Sequence, residues 1–92
     1  MENKNNRTEI SQKQIDAALA SIGNETQRRL IQKGFGTLAS THEILGIITE
    51  EFDELKDSVR SNNINEIVKE IHDIAVACHF AIACINSDTL DF

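Results

Sequence analysis

The 92-residue sequence predicts an all-α fold: a helical bundle with an antiparallel central helix pair, completed by homo-oligomerisation. Three observations predict it. The chain has no proline and only four glycines. Its apolar residues recur at three- and four-residue spacings, the period of a helix with one buried face. A chain this short buries only a modest share of its surface when it folds alone, so further burial through self-association is expected.

Residues 1–10, rich in Asn, Lys and Glu, read as a frayed tail, and residues 11–86 as a single helical domain. Ser11 caps a first helix that carries Ile15, Ala18, Leu19 and Ile22 on one face. Gly23-Asn24 is expected to break it, leaving a second short helix over Glu25–Lys33. Gly34-Phe35-Gly36 then forms a tight loop, with Phe35 either closing the bundle or displayed for stacking on a base. A third helix starts near Ser40-Thr41, where Ser40 and Glu43 have the form of a capping box, and runs to about Arg60. Its apolar stripe is Ile44, Ile48, Phe52, Leu55 and Val59. The turn Ser61-Asn62-Asn63 is short enough to make the fourth helix, over about 64–86, an antiparallel neighbour of the third. Beyond Asp73 that last helix is apolar nearly all round, which suits a bundle core or a dimer interface. Residues 87–92 read as a C-terminal tail.

Net charge is -6, and nine of the 15 acids lie between Glu43 and Asp73. Such a surface repels a nucleic-acid backbone, whose capture relies on clustered Lys and Arg, so no nucleic-acid partner is expected. Cys78 and Cys84 are six residues apart, a spacing of neither a redox pair nor a zinc site, and read as reduced core residues. Met1–Glu9 lacks the apolar core of a signal peptide, and Ile74–Ile85 is too short to cross a bilayer. A cytoplasmic protein with no membrane partner is expected.

The chemistry concentrates in two acidic pairs. Glu51 and Glu54 are three apart on one helix, and Glu70 and Asp73 three apart on the next, so each pair projects from one face. At about 100° per residue, Glu51 falls within about 20° of Ile44, at the edge of the apolar stripe, where an unpartnered carboxylate is costly. Four carboxylates without histidine or thiolate make a hard oxygen site that suits Mg²⁺, or Mn²⁺, better than zinc or copper. Ions held there can activate a water and neutralise charge on phosphates. Glu50, beside them, is placed to orient or deprotonate that water.

Glu50-Glu51-Phe52-Asp53-Glu54 has the form EExxE, and Glu70-Ile71-His72-Asp73 the form ExxD, with fifteen residues between them. In these elements, and in the approach segment Lys33-Gly34-Phe35-Gly36 with Ser40, His42 and Glu43, the chain resembles the MazG-like all-α nucleoside triphosphate pyrophosphohydrolases over about residues 33–85. The resemblance implies hydrolysis of a nucleoside or deoxynucleoside triphosphate to the monophosphate and pyrophosphate by metal-activated water. It implies Glu51, Glu54, Glu70 and Asp73 as metal ligands and Glu50 as the residue assisting the water. Substrate contacts are expected from Lys33, Phe35 and His42, and a homodimer or homotetramer is expected, with some phosphate contacts supplied by a neighbouring subunit. Lys33, Lys56, Arg60 and Lys69 are read as the only nearby cations, and none matches a phosphate-binding pattern. The chain is shorter after ExxD than larger members of that family.

Other readings compete. His72-Asp73 has the dipeptide of helical HD phosphohydrolases, and di-iron bundles would want Glu-x-x-His where the chain has Glu70 and Asp73. His79, on an apolar helix, is expected to be a hydrogen-bonded core residue. The main alternative to an enzyme is a non-catalytic helical module that binds a nucleotide, a metal or a protein partner.

Overall fold

The computed structural model describes residues 6–90, and within them the chain is all-helical. Three helices form: α1 (Gln12–Lys33), α2 (Thr41–Arg60) and α3 (Ile64–Asn86). Residues 1–5 of the expected N-terminal tail, and the last two of the C-terminal one, lie outside the described residues.

α1 starts at a full capping box. The Gln14 N–H donates to Ser11 Oγ at 3.2 Å and the Ser11 N–H donates back to Gln14 Oε1 at 2.7 Å, which satisfies two of the amides that every helix start leaves open. The expected break at Gly23-Asn24 does not occur, and the two predicted N-terminal helices are one helix of 22 residues. A mid-helix glycine costs only about 1 kcal/mol relative to alanine. Contacts to α3 bracket the site, with Ser21 Oγ 3.0 Å from His72 Nε2 and Thr26 Oγ1 3.0 Å from His79 Nδ1, and they hold the chain helical on both sides of it. The real stop is Gly34, whose positive φ of 86° lets its N–H donate to the Leu30 carbonyl at 2.8 Å.

Ser40 caps α2, accepting from the Glu43 N–H at 3.2 Å. Glu43 reaches past the cap to the Ala39 N–H at 3.2 Å, so the expected reciprocal box is shifted by one residue. α2 ends in a turn at Ser61-Asn62-Asn63, with Asn62 at a positive φ of 55° and Asn63 capping α3 by accepting from the Glu66 N–H. Asparagine tolerates this left-handed conformation better than most residues. After α3 the chain turns back, Thr89 donates twice to the Cys84 carbonyl, and Leu90 becomes buried.

α1 and α2 each pack on α3 and not on one another. Buried apolar residues among those described are Val76, Ala81, Cys84 and Leu90, and no large side chain is fully enclosed. The expected stripe of α2 is only partly covered, with Phe52 and Val59 51% and 55% exposed. Cys84 is buried, Cys78 half-buried, and both are free thiols. No described helix is long and apolar enough to cross a membrane.

Candidate metal centre

The i, i+3 spacing of Glu51 with Glu54 and of Glu70 with Asp73 turns each pair to the surface where α2 and α3 pack. One carboxylate oxygen from each of the four lies within 4.8 Å of all the others. Glu70 and Asp73 are 5% and 6% exposed, Glu51 is half-buried, and Glu54 sits at the open edge.

Two oxygens in this group, Glu51 Oε2 and Glu70 Oε2, are buried with no hydrogen-bond partner among the described residues. A buried carboxylate oxygen without a donor is expensive, and native structures seldom leave one. The cluster's like charges show at Glu54, whose carboxyl is pushed above the ordinary carboxylate range. The largest cause is a hydrogen bond with Glu70, followed by the charge of Glu51 and by desolvation.

Cations offset only part of this charge. Arg29, near the C-terminal end of α1, donates through Nη2 to Asp73 Oδ1, and its Nε reaches Glu25 Oε1 at 3.4 Å. Lys69 Nζ stands 3.6 Å from both Glu70 Oε1 and Asp73 Oδ2. Neither cation is paired with Glu51 or Glu54 among the described residues. The donor set of four converging carboxylates, two with orphaned buried oxygens, fits a hard divalent cation.

Beside the acids opens a cavity of about 390 Å³ that fills the gap between α1 and α2. Leu30, Leu38, Ile44, Ile47, Ile48, Val76, Ala77 and Phe80 make most of it apolar, while Arg29, Lys33, Glu50, Glu51 and Asp73 place charge along it. An apolar cleft with a few converging polar groups is the usual form of a small-molecule site.

The predicted residues are thus distributed unevenly. Glu51, Glu54, Glu70 and Asp73 come together, and Glu50 lines the cavity next to Glu51. Lys33 lines the cavity as well. Phe35 is 72% exposed, does not close the bundle, and lies outside the cavity wall, although its neighbours Gly34 and Gly36 form part of that wall. His42 is exposed and outside it too. His79 is exposed rather than in the core, though hydrogen-bonded to Thr26 as its type requires. Lys56 is engaged locally, 3.5 Å from Asp53 and over the ring of Phe52.

Arg29 is the functional candidate that the sequence reading missed. It lies 44 residues from Asp73, outside both acidic motifs. The available signal was its pairing with Lys33 one turn later, which places two cations on the flank that carries Leu30.

Comparison of the chain with protein-family models, with curated proteins and with solved structures found no match in any of the three.

Proposed function

We propose that the chain is a Mg²⁺-dependent nucleoside triphosphate pyrophosphohydrolase that works as a homo-oligomer with α2 and α3 antiparallel. The observation that carries the reading is the convergence of Glu51, Glu54, Glu70 and Asp73, with two orphaned buried oxygens, at the edge of an apolar cavity. The likeness of EExxE and ExxD to the MazG-like enzymes points the same way and rests on those motif residues alone.

On this reading Glu51, Glu54, Glu70 and Asp73 hold the divalent cation, and Mn²⁺ can replace Mg²⁺. When bound, the cation supplies charge neutralisation for the phosphates and eases loss of a proton from water. Glu50, on the cavity wall, accepts that proton. The water oxygen bonds to phosphorus at the α–β bridge, the bridging P–O bond breaks, and the products are a nucleoside monophosphate and pyrophosphate. Arg29 and Lys33 are the cations on the same wall, Arg29 engaged with Asp73 and Lys33 available to the phosphate chain, while the apolar residues exclude water around the nucleoside.

The test is pyrophosphate release by the purified protein across the common NTPs and dNTPs with and without Mg²⁺. Absence of Mg²⁺-dependent release from every nucleotide would sink the reading. A non-catalytic nucleotide- or metal-binding module is the second reading, favoured by the engagement of Arg29 with Asp73, which leaves only Lys33 unpaired on that wall among the described residues. Glu50→Gln separates the two. Turnover lost with nucleotide binding retained supports the enzyme, whereas binding without turnover in the unaltered protein supports the module.

A further inference from the structure

The charge along α1 and α3 is not spread evenly. A second cavity, of about 360 Å³, opens between these helices and is lined by Glu25, Arg28, Arg29, Lys69, His72 and Asp73. Three of the chain's nine Lys and Arg residues stand there against two carboxylates, so the cavity is locally cationic in a chain of net charge -6. Arg29 and Asp73 also line the apolar cavity, and Asp73 belongs to the carboxylate cluster. The two cavities therefore meet at the Arg29–Asp73 pair, beside the cluster.

The ion pairs of this second cavity form an alternating row. Arg28 donates to both Glu25 oxygens, through Nε to Oε2 at 3.1 Å and through Nη2 to Oε1. Glu25 also accepts from Arg29, Arg29 donates to Asp73, and Asp73 Oδ2 lies 3.6 Å from Lys69 Nζ. The row begins and ends on a cation. Those ends are its most open members, with the Arg28 and Lys69 side chains 54% and 62% accessible. Ion pairs this exposed are weak, so a ligand carrying more negative charge than one carboxylate can displace them. His72 forms a fixed wall: its Nδ1 donates to the Val68 carbonyl at 3.0 Å, and its Nε2 lies 3.0 Å from Ser21 Oγ.

We propose that this cavity is an oligophosphate site, which takes the two outer phosphates of a nucleoside triphosphate and the pyrophosphate cleaved from it, and that Asp73 competes with phosphate for its cations. The identity of the ligand rests on the hydrolase reading, the site itself on Arg28, Arg29 and Lys69. Guanidinium groups match phosphate oxygens in a bidentate fork, and a lysine adds a mobile point charge. The order of the two cavities sets the direction of the substrate. Its nucleoside occupies the apolar cavity, the bond to be cut lies at the carboxylate cluster, and the outer phosphates reach Arg28 and Lys69 beyond it. Lys33, on the apolar side, is left to the innermost phosphate. Asp73 holds Arg29 and Lys69 as its counter-ions. Once Asp73 and Glu70 are engaged by a divalent cation, both basic residues are released to phosphate, so the site is complete only when the cluster is loaded.

Calorimetric titration of inorganic pyrophosphate into the full chain, in metal-free buffer, tests the site without turnover. Asp73→Asn frees Arg29 and Lys69 and removes one negative charge, and should tighten pyrophosphate binding roughly tenfold. Arg28→Gln with Lys69→Gln, added to that variant, should cancel the gain. Both side chains are exposed, so helical circular dichroism should not change. Lys56→Gln removes a positive charge from α2, where Lys56 is engaged with Asp53 and Phe52, and should alter the affinity by less than about twofold. If Asp73→Asn does not fold, Glu70→Gln takes its place, with tightening again expected, because it releases Lys69 from its second carboxylate at 3.6 Å. No tightening in the variant that folds, an effect of Lys56→Gln as large as that of the double substitution, or no pyrophosphate binding by any variant overturns the proposal. The hydrolase reading is decided separately. Mg²⁺-dependent hydrolysis without this binding keeps the enzyme and removes the site, whereas binding that follows Arg28, Lys69 and Asp73 without hydrolysis of any nucleotide supports the site alone.

Discussion

Arg29 ties α1 to α3 at a single guanidinium, with Asp73 on one side, Glu25 on the other, and the cavity alongside. Arg29→Ala leaves Asp73 with only Lys69 at 3.6 Å. The pair is neither exposed nor fully enclosed, with the Arg29 side chain 26% accessible, so the expected stability loss is on the order of 1–2 kcal/mol by urea unfolding. Glu25 makes a prediction about pH. Its carboxyl is held at about 2 rather than 4.5, first by the hydrogen bond from Arg28, and against a desolvation that pushes the other way. A carboxyl with a lowered folded-state pKa stabilises above its ordinary value and ceases to do so as pH falls toward the folded value. Glu25→Gln should therefore lower stability modestly at neutral pH, flatten the stability curve between about pH 5 and pH 2 and converge with the unaltered protein near pH 2, and an equal acid slope in both proteins would refute it. At this scale the four carboxylates were legible because their spacing is local. Arg29 was not, because only the packing of α1 on α3 brings it to Asp73.

The helices show which local signals survive tertiary packing. Ser11, Ser40 and Asn63 cap as their residue types demand, and α2 and α3 have the bounds that their periodicity predicts. Gly23-Asn24 misled because a glycine's preference is weak, and hydrogen bonds from Ser21 and Thr26 to α3 outweigh it. The same observation makes a prediction. A Cβ added at Gly23 meets nothing within 4 Å, and the residue is helical, so Gly23→Ala should stabilise the protein by about 0.5–1 kcal/mol through reduced freedom of the unfolded chain. A Tm raised by roughly 2–8 °C is the expected reading for a domain of this size. An unchanged or lowered Tm would mean that the helix is interrupted there in solution. Burial, in contrast to helix position, was not legible from periodicity. The apolar stripes of α2 and α3 are wide enough to serve two surfaces, and only one of them is used within the chain.

For the molecule as a whole, the carboxylate cluster is a local instability that ligand binding can relieve. Among the described residues four acids converge against two cations, two oxygens lack any donor, and Glu54 takes up a proton more readily than a free carboxyl. A ligand that binds the folded chain and not the unfolded one stabilises it by mass action, about 2.7 kcal/mol at a hundredfold excess over Kd. Mg²⁺ in the millimolar range should therefore raise the Tm by several degrees, while NaCl at matched ionic strength should raise it less, since screening acts on all exposed charges alike. Glu70→Gln removes one ligand and one unit of the repulsion together. It should keep or raise the Tm without metal and abolish the Mg²⁺-specific increment. Equal responses to Mg²⁺ and NaCl in the unaltered protein would show that the cluster binds no divalent cation, and its orphaned oxygens would then be a plain cost of the fold.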